Sequence, residues 1–190
     1  IVELIQTRLP NNMGIPADQI QVLSPTRLRV AGTASLNRAI QEAVNPPSPD
    51  RPERRFGEYV FRQGDRVMQV RNNYDVVWKD GLTSGMGIFN GDIGRIIRVD
   101  NREQTLTVDF EGRQVEYTPD MLVELEPAYA ITVHKAQGSE YRAVVLSVSE
   151  GPSVLLTRGV LYTAITRARE LLILVGDEEV VAAMTANDRQ

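Results

Sequence analysis

The chain has 190 residues, 42% of them hydrophobic, which predicts one folded domain with room for a small insertion. It has no Cys, one His, no long apolar run and no signal peptide, which excludes disulfides and thiolate or His-based metal sites and favours a cytoplasmic protein without a membrane partner. Its formal net charge of −4 argues against a self-sufficient nucleic-acid-binding module but allows local phosphate contacts.

The first part of the chain alternates helix and strand, as in a parallel α/β domain. A short apolar run at residues 19–23, followed by Ser24-Pro25, is typical of a buried parallel strand. The other predicted elements are a helix end over residues 1–9 that stops at Pro10, a helix capped by Thr33 that runs to residue 44, and a Pro-rich, charged loop from 45 to 55.

The middle of the chain changes to the alternation of short β-strands. Four glycines, Gly85, Gly87, Gly91 and Gly94, predict a long loop or a set of bulges before most of these strands. The predicted strands are residues 66–70, 94–99, 104–110, 113–117 and 122–125. Such closely spaced strands favour a small antiparallel barrel.

After Pro127 the helix and strand alternation returns, so the order is α/β, then β, then α/β. This order predicts a small barrel inserted into one parallel-sheet domain. The predicted boundaries are 1–66 for the first part of the α/β domain, 67–126 for the barrel and 127–190 for the second part.

Two polar segments in the last part could carry chemistry. Residues 130–141, AITVHKAQGSEY, join several polar side chains to one glycine, and residues 161–170, LYTAITRARE, end a short helix with two arginines before an apolar strand. The apolar stripe of that helix leaves Arg167 on another face. An arginine held by a rigid element suits the stabilisation of charge on a transferring phosphoryl group. A surface arginine in a helix C-terminal turn is the alternative.

In this order and at this short spacing, the two segments resemble motifs V and VI of superfamily 1 helicases. Nearly the whole chain resembles the C-terminal motor domain of RecD-like helicases. The resemblance implies a RecA-like parallel-sheet domain (2A) interrupted by an SH3-like barrel (2B). It also implies an ATP-dependent DNA helicase that moves 5′ to 3′, with single-stranded DNA as partner. ATP and Mg²⁺ would be bound mainly by an N-terminal motor domain of the same protein.

The resemblance assigns two arginines to catalysis. Arg167 is the expected arginine finger. Arg27 follows the strand at residues 19–23 and resembles the motif IV arginine that contacts the γ-phosphate, with Arg29 as the alternative because the local match is loose. In parallel sheets ligands gather beyond the carboxyl ends of strands, which also favours Arg27.

Three further residues are expected to bind ATP. By resemblance, Gly138 lies near the γ-phosphate and Glu140 contacts the nucleotide or couples it to DNA. Gly138 could equally form a helix C-cap. Arg169 is either a second phosphate contact or an ordinary ion-pair partner.

The expected DNA-binding residues are Thr132, His134, Gln137, Arg71 and Asn72. For His134 the alternative is a packing role, and for Arg71 and Asn72 it is turn chemistry. Two aromatic residues near the barrel, Tyr74 and Trp78, could stack on bases or belong to the core.

The chain has no G-x-x-x-x-G-K-[ST] loop and no Asp-Glu pair after an apolar strand, so we expect it to be the back half of a motor and inactive as an ATPase alone. Two other functions remain open at this point. One is a single-stranded nucleic-acid-binding module without motor activity. The other is a helicase-like domain that only binds protein partners.

Overall fold

The computed structural model describes residues 1–189, which form two compact units. The first unit contains residues 1–44 together with the described residues from 129 onward, and the second contains residues 45–128. The chain therefore leaves the first unit once and returns to it, as an inserted domain requires.

Helices and strands alternate in both segments of unit 1, whereas unit 2 consists almost entirely of strands. The first segment of unit 1 contains a π-helical turn Leu4–Arg8, α1 Leu9–Met13, a 3₁₀ turn Ala17–Gln19, β1 Ile20–Ser24 and α2 Thr33–Val44. Unit 2 contains β2 Glu53–Phe56, β3 Tyr59–Arg62, β4 Arg66–Gln69, β5 Asn73–Asp80, β6 Thr83–Ile88, β7 Ile93–Asp100, β8 Thr105–Phe110, β9 Arg113–Tyr117, a 3₁₀ turn Met121–Glu124 and β10 Leu125–Pro127. The second segment of unit 1 contains β11 Ala130–Thr132, a 3₁₀ turn His134–Ala136, β12 Tyr141–Val148, α3 Arg158–Ile165, β13 Ala168–Gly176 and α4 Glu178–Ala186.

Unit 1 is built on a parallel sheet with the strand order β11-β1-β12-β13. Every residue of β1 is buried, which confirms the predicted apolar strand. One face of the sheet, with Val22 and Val145, packs against α1 and α2 through Leu9 and Ile40. The other helices, α3 and α4, pack on each other, and α3 lies against β12 and β13. The predicted parallel α/β class is confirmed.

The first helical segment does not stop at Pro10. It continues to Met13 and ends at Gly14, which adopts φ +63. Pro10 has no N–H to donate inside this continuous helical segment, and it directly follows the π-helical turn Leu4–Arg8, where the regular α-helical hydrogen bonding is already interrupted.

Unit 2 is a seven-stranded antiparallel sheet with the order β10-β4-β7-β8-β9-β5-β6. Its strands surround a single apolar core, to which both edge strands contribute, as Ile88 and Leu125 show. Such a sheet must curve around its core, which agrees with the predicted small barrel. Tyr117 is buried in this core and donates a hydrogen bond to Gln69 Oε1 (2.7 Å), and burial raises the pKa of the Tyr117 phenol well above its usual value.

Two details of the predicted barrel are wrong. The glycine-rich segment is not a long loop, because β5 and β6 form a hairpin there and Gly85 lies inside β6, whereas the register shift between Asn73 and Val77 in this hairpin agrees with the alternative of bulges. A side chain at Gly85 would collide with the Trp78 ring, so glycine is required for packing at this point. Residues 122–125 are mostly a 3₁₀ turn rather than a strand, and the strand of this region starts at Leu125.

The predicted boundary between residues 66 and 67 also differs from the structure, since residues 45–66 belong to unit 2. Hairpin β2-β3 places Phe61 in the barrel core. The buried Asp65 carboxylate accepts hydrogen bonds from Asn45 Nδ2 (2.7 Å) and Arg62 N (2.7 Å). These long-range contacts could not be read from a Pro-rich, charged sequence.

Candidate functional site

Arg167 joins the two predicted motifs at the amino edge of the parallel sheet. It precedes β13, and its guanidinium donates hydrogen bonds to the Ser139 carbonyl (2.9 Å), the Thr163 carbonyl (3.2 Å) and Thr166 Oγ1 (3.2 Å). The Arg167 carbonyl accepts from Tyr141 N (2.8 Å). Arg167 is therefore rigidly positioned, and its guanidinium has more N–H donors than these contacts use.

The contact with Ser139 was not predicted. It uses a backbone carbonyl, which leaves no signal in the residue type. The contact with Thr163 corresponds to the helix C-terminal role that the sequence left as an alternative for Arg167. Both kinds of contact occur together, because the side chain spans from the end of α3 to the turn before β12.

Charged side chains surround Arg167 at the same edge. Arg169 and Glu140 are both exposed and lie 4.0 Å apart (Nε to Oε2). Such an exposed pair contributes little to stability and leaves both groups accessible to a ligand. Arg142, which the sequence analysis did not single out, donates to Glu170 Oε2 (2.8 Å) and to Gln19 Oε1 (2.8 Å) and so ties β12 to β13.

Gly138 adopts φ +83, a conformation that favours glycine, in the turn that leads to this edge. No atom lies within 4 Å of the position that a side chain would take there. The requirement for glycine is therefore conformational, and the space beside the backbone is open.

The loop after β1 closes over the opposite, carboxyl edge of the sheet. The Ala31 carbonyl accepts hydrogen bonds from Ser24 Oγ (2.9 Å) and Ser147 Oγ (3.3 Å). The loop thus stays level with these two strand residues, and its exposed Arg27 and Arg29 lie at the carboxyl edge.

This position argues against one phosphate site shared by Arg27 and Arg167. Arg167 lies just before the pairing of Ala168 with Tyr141, whereas Arg27 follows Ser24, which is level with Ser147. The part of β12 between these levels spans roughly 20 Å at ~3.3 Å per residue. This separation favours different ligands for the two arginines. The rule that ligands gather beyond the carboxyl ends of parallel strands applies to Arg27, which follows β1. It does not apply to Arg167, which precedes β13 and so lies at the amino end of that strand.

The segment of motif V connects the two edges. Thr132 pairs with Ser24 at the carboxyl edge, and residues 133–140 then bring the chain back to Tyr141 at the amino edge. Thr132 Oγ1 accepts a hydrogen bond from Lys135 N (3.4 Å), which starts the turn. Residues 132–141 therefore begin at the carboxyl edge of the sheet and end at its amino edge.

For His134 the sequence left two roles open, DNA contact and packing in the fold. This side chain is exposed, and the contacts of the described residues give its imidazole no hydrogen bond, which disfavours the packing alternative. Gln137 is exposed as well. Both side chains are available to a ligand on the surface that follows Thr132.

In the barrel, Arg71 and Asn72 are exposed residues between β4 and β5. The Arg71 carbonyl accepts from Gln69 Nε2 (3.0 Å), and Asn72 Oδ1 accepts from Asn90 N (2.9 Å). Asn72 therefore links the β4–β5 connection to the turn after β6 and does not make a local turn contact, while Arg71 presents its guanidinium to solvent. Of the two aromatic candidates, Tyr74 is exposed and Trp78 packs on the barrel core.

Within residues 1–189, no cluster of acidic or histidine side chains could hold a metal ion. The same residues include no helix that is long and apolar enough to cross a membrane.

Comparison with known families agrees with this geometry. A model described as the ATP-dependent RecD-like DNA helicase SH3 domain matches residues 36–110, and one described as the UvrD-like helicase C-terminal domain matches residues 127–175. A barrel of the first kind together with a parallel sheet of the second kind defines part of a superfamily 1 helicase. Within the superfamily 1 helicases, the SH3 model and the relatives described below indicate the RecD-like family. The chain belongs to this family.

Two curated relatives support the narrower statement. The ATP-dependent RecD2 DNA helicase of Deinococcus radiodurans is 35% identical over 171 residues, which are 90% of this chain and 22% of the relative. The RecBCD enzyme subunit RecD of Mycobacterium tuberculosis is 33% identical over 102 residues, which are 54% of this chain and 18% of the relative. The chain thus spans about a fifth of the length of these relatives.

A solved structure agrees at the level of the fold. The structure of Bacteroides Pif1 bound to ssDNA matches 91% of this chain and 44% of its own, with a TM-score of 0.55 and 19% identity. The predicted recognition and fold class are confirmed.

Proposed function

We propose that this chain is the C-terminal motor part of an ATP-dependent DNA helicase, with nucleotide and DNA contacts on opposite edges of its parallel sheet. The observation that carries the proposal is the course of motif V. Its Thr132 end lies at the carboxyl edge, and its Ser139 end is bonded to Arg167 at the amino edge. A displacement at one edge would therefore be transmitted to the other along a few residues.

The amino edge is the nucleotide side in this proposal. Arg167 contacts the transferring phosphoryl group of ATP, which with Mg²⁺ is held mainly by an N-terminal motor domain. Gly138 gives the phosphates close access to the backbone, and Glu140 and Arg169 contact the nucleotide. The proposal is supported by the rigid seat of Arg167 and the open space beside Gly138. A positioned guanidinium stabilises the charge that develops during phosphoryl transfer.

The carboxyl edge is the DNA side. Thr132, His134 and Gln137 contact single-stranded DNA, and Arg27 joins them there instead of the nucleotide. Arg71 and Asn72 contact DNA from the barrel. Hydroxyl, imidazole and amide groups bond phosphate oxygens without a strong fixed charge, which suits a motor that must release its track at each step. The 5′ to 3′ direction is proposed from the family resemblance.

The isolated 190-residue chain should show no ATPase activity. It contains no phosphate-binding loop and no carboxylate pair for Mg²⁺, so ATP has no primary site. Phosphate release would be measured with and without single-stranded oligonucleotide, with the full-length protein as the positive control. Turnover by the purified chain, co-eluting with it on size exclusion, would disprove the division of roles proposed above.

Substituting His134→Ala in the full-length protein should raise the oligonucleotide concentration that gives half-maximal ATPase by roughly tenfold. A hydrogen bond from the imidazole to a charged phosphate contributes about 1.5–3 kcal/mol, and about 1.4 kcal/mol corresponds to a factor of ten. ATP hydrolysis without DNA should be unchanged. The titration is run at one fixed salt concentration because phosphate contacts depend on salt.

His134→Asn is the matched variant, since its amide can still donate a hydrogen bond and should recover part of the affinity. An unchanged half-maximal concentration for His134→Ala, together with a lower melting temperature, would show that His134 stabilises the fold and does not contact DNA.

A further inference from the structure

The barrel exposes a pair of aromatic rings. Tyr74, in β5, has 66% of its surface exposed, and Phe89, just after β6, has 40% exposed. Their ring centroids are 5.6 Å apart and the rings meet edge to face at 65°. Aromatic rings of this size are usually covered in a folded domain, so a pair left in solvent indicates a contact surface.

Polar contacts hold the Tyr74 hydroxyl and the backbone of Phe89. Asn72 Nδ2 donates to Tyr74 Oη (3.4 Å), and the Asn72 side-chain oxygen accepts from Asn90 N (2.9 Å). The Phe89 backbone N–H donates to Asp92 Oδ2 (3.0 Å). The Tyr74 hydroxyl and the backbone that carries Phe89 are therefore positioned before any ligand arrives, which lowers the entropy lost on binding.

An exposed cation, Arg71, lies three residues before Tyr74 in the sequence. The contacts of the described residues give the exposed Arg71 guanidinium neither a hydrogen bond nor an ion pair, while its backbone is held by Gln69. Asp92, a nearby carboxylate, is already engaged by Phe89 N and by Arg113. Exposed aromatic rings together with an exposed guanidinium close in the sequence match the bases and phosphates of a single strand.

We propose that Tyr74 and Phe89 form a stacking site for a base of single-stranded DNA, with Arg71 on the adjacent phosphate. This inference rests on the proposed function and adds the residues by which the barrel would grip bases. Trp78 is not part of the site, because its ring is packed over Gly85 and against the barrel core. Stacking on an exposed ring accepts every base, which a translocating protein needs.

The test is equilibrium binding of a fluorescent oligothymidylate to the full-length protein without nucleotide, at fixed salt. Tyr74→Leu and Phe89→Leu keep apolar surface but remove a ring, and each should weaken binding about tenfold. Tyr74→Phe keeps the ring and should stay within about twofold of wild type, because stacking needs only the π-face. Leu82→Ser removes a fully exposed apolar side chain at the tip of the same hairpin and serves as the matched control.

An abasic oligonucleotide of equal length separates stacking from phosphate contact. Wild type should prefer the oligothymidylate over the abasic strand, and Tyr74→Leu should reduce this preference. Equal affinities of Tyr74→Leu, Phe89→Leu and wild type for the oligothymidylate would overturn the stacking site while leaving the helicase proposal standing. An equal loss for both strands would also overturn it, since only phosphate contacts would then have changed. Failure of the wild type to bind either strand would instead contradict the proposed function itself.

Discussion

Substituting Arg167→Ala in the full-length protein should reduce DNA-stimulated ATPase activity by a factor of about 10³, the scale found for arginine fingers. Hydrogen bonds to the Ser139 carbonyl and to the end of α3 fix the Arg167 side chain. Its charge is therefore held where the phosphoryl group is proposed to react. ATP binding should weaken far less, because the contact strengthens mainly in the transition state. Steady-state ATPase and equilibrium nucleotide binding would be measured side by side.

Two variants make this result interpretable. Arg167→Lys keeps the charge but loses the planar fork of donors, so it should remain strongly impaired. Arg38→Ala removes an exposed arginine from α2 and should behave as wild type. Because Arg167 also ties two segments together, the melting temperature of each variant is needed. Activity of a folded Arg167→Ala within about threefold of wild type would make Arg167 a structural arginine and would exclude the finger role.

Removing the barrel should abolish unwinding while part of the ATPase activity survives. The cut that the structure supports removes residues 45–128 and joins the ends with a short Gly/Ser linker. Val44 and Tyr129, which the linker would join, both pack against the core of unit 1, so the parallel sheet keeps its contacts. The measurements are ATPase rate and the separation of a duplex with a 5′ single-stranded tail.

A shorter deletion of residues 85–124 serves as the contrast. It would remove β7, β8, β9 and most of β6 but leave β2 to β5 with an exposed apolar core, so we expect this variant to aggregate. Normal unwinding by the 45–128 deletion would contradict a role for the barrel in guiding DNA.

Much of the parallel-sheet unit was predictable from residue patterns. The run at residues 19–23 contains Ile20, Val22 and Leu23, and β1 is buried along its whole length because both of its faces are covered, so these apolar residues gave the signal. The barrel strands were predictable where buried and exposed residues alternate, as in β8 and β9. The prediction was wrong where packing requires a residue that breaks this alternation. Gly85 resembles a loop residue in the sequence, yet it is a strand residue that makes room for Trp78.

The candidate site was predictable as a set of residues but not as an arrangement. Motif spacing identified Arg167 and Gly138, because these segments carry unusual residue types. The sequence could not show that Arg27 lies at the other edge of the sheet, since this depends on where each strand begins and ends in space. Likewise, the partner of Arg167 is the Ser139 carbonyl, which every residue type offers.

The separation of nucleotide and DNA between the two edges is tested most directly by a structure of the full-length protein with ADP–aluminium fluoride and single-stranded DNA. The proposal predicts the Arg167 guanidinium within hydrogen-bond distance of the fluoride, at the amino edge beside Gly138. It predicts the oligonucleotide at the opposite edge, in contact with Thr132 and His134. A nucleotide bound at the loop of Arg27, or an oligonucleotide beside Arg167, would contradict it.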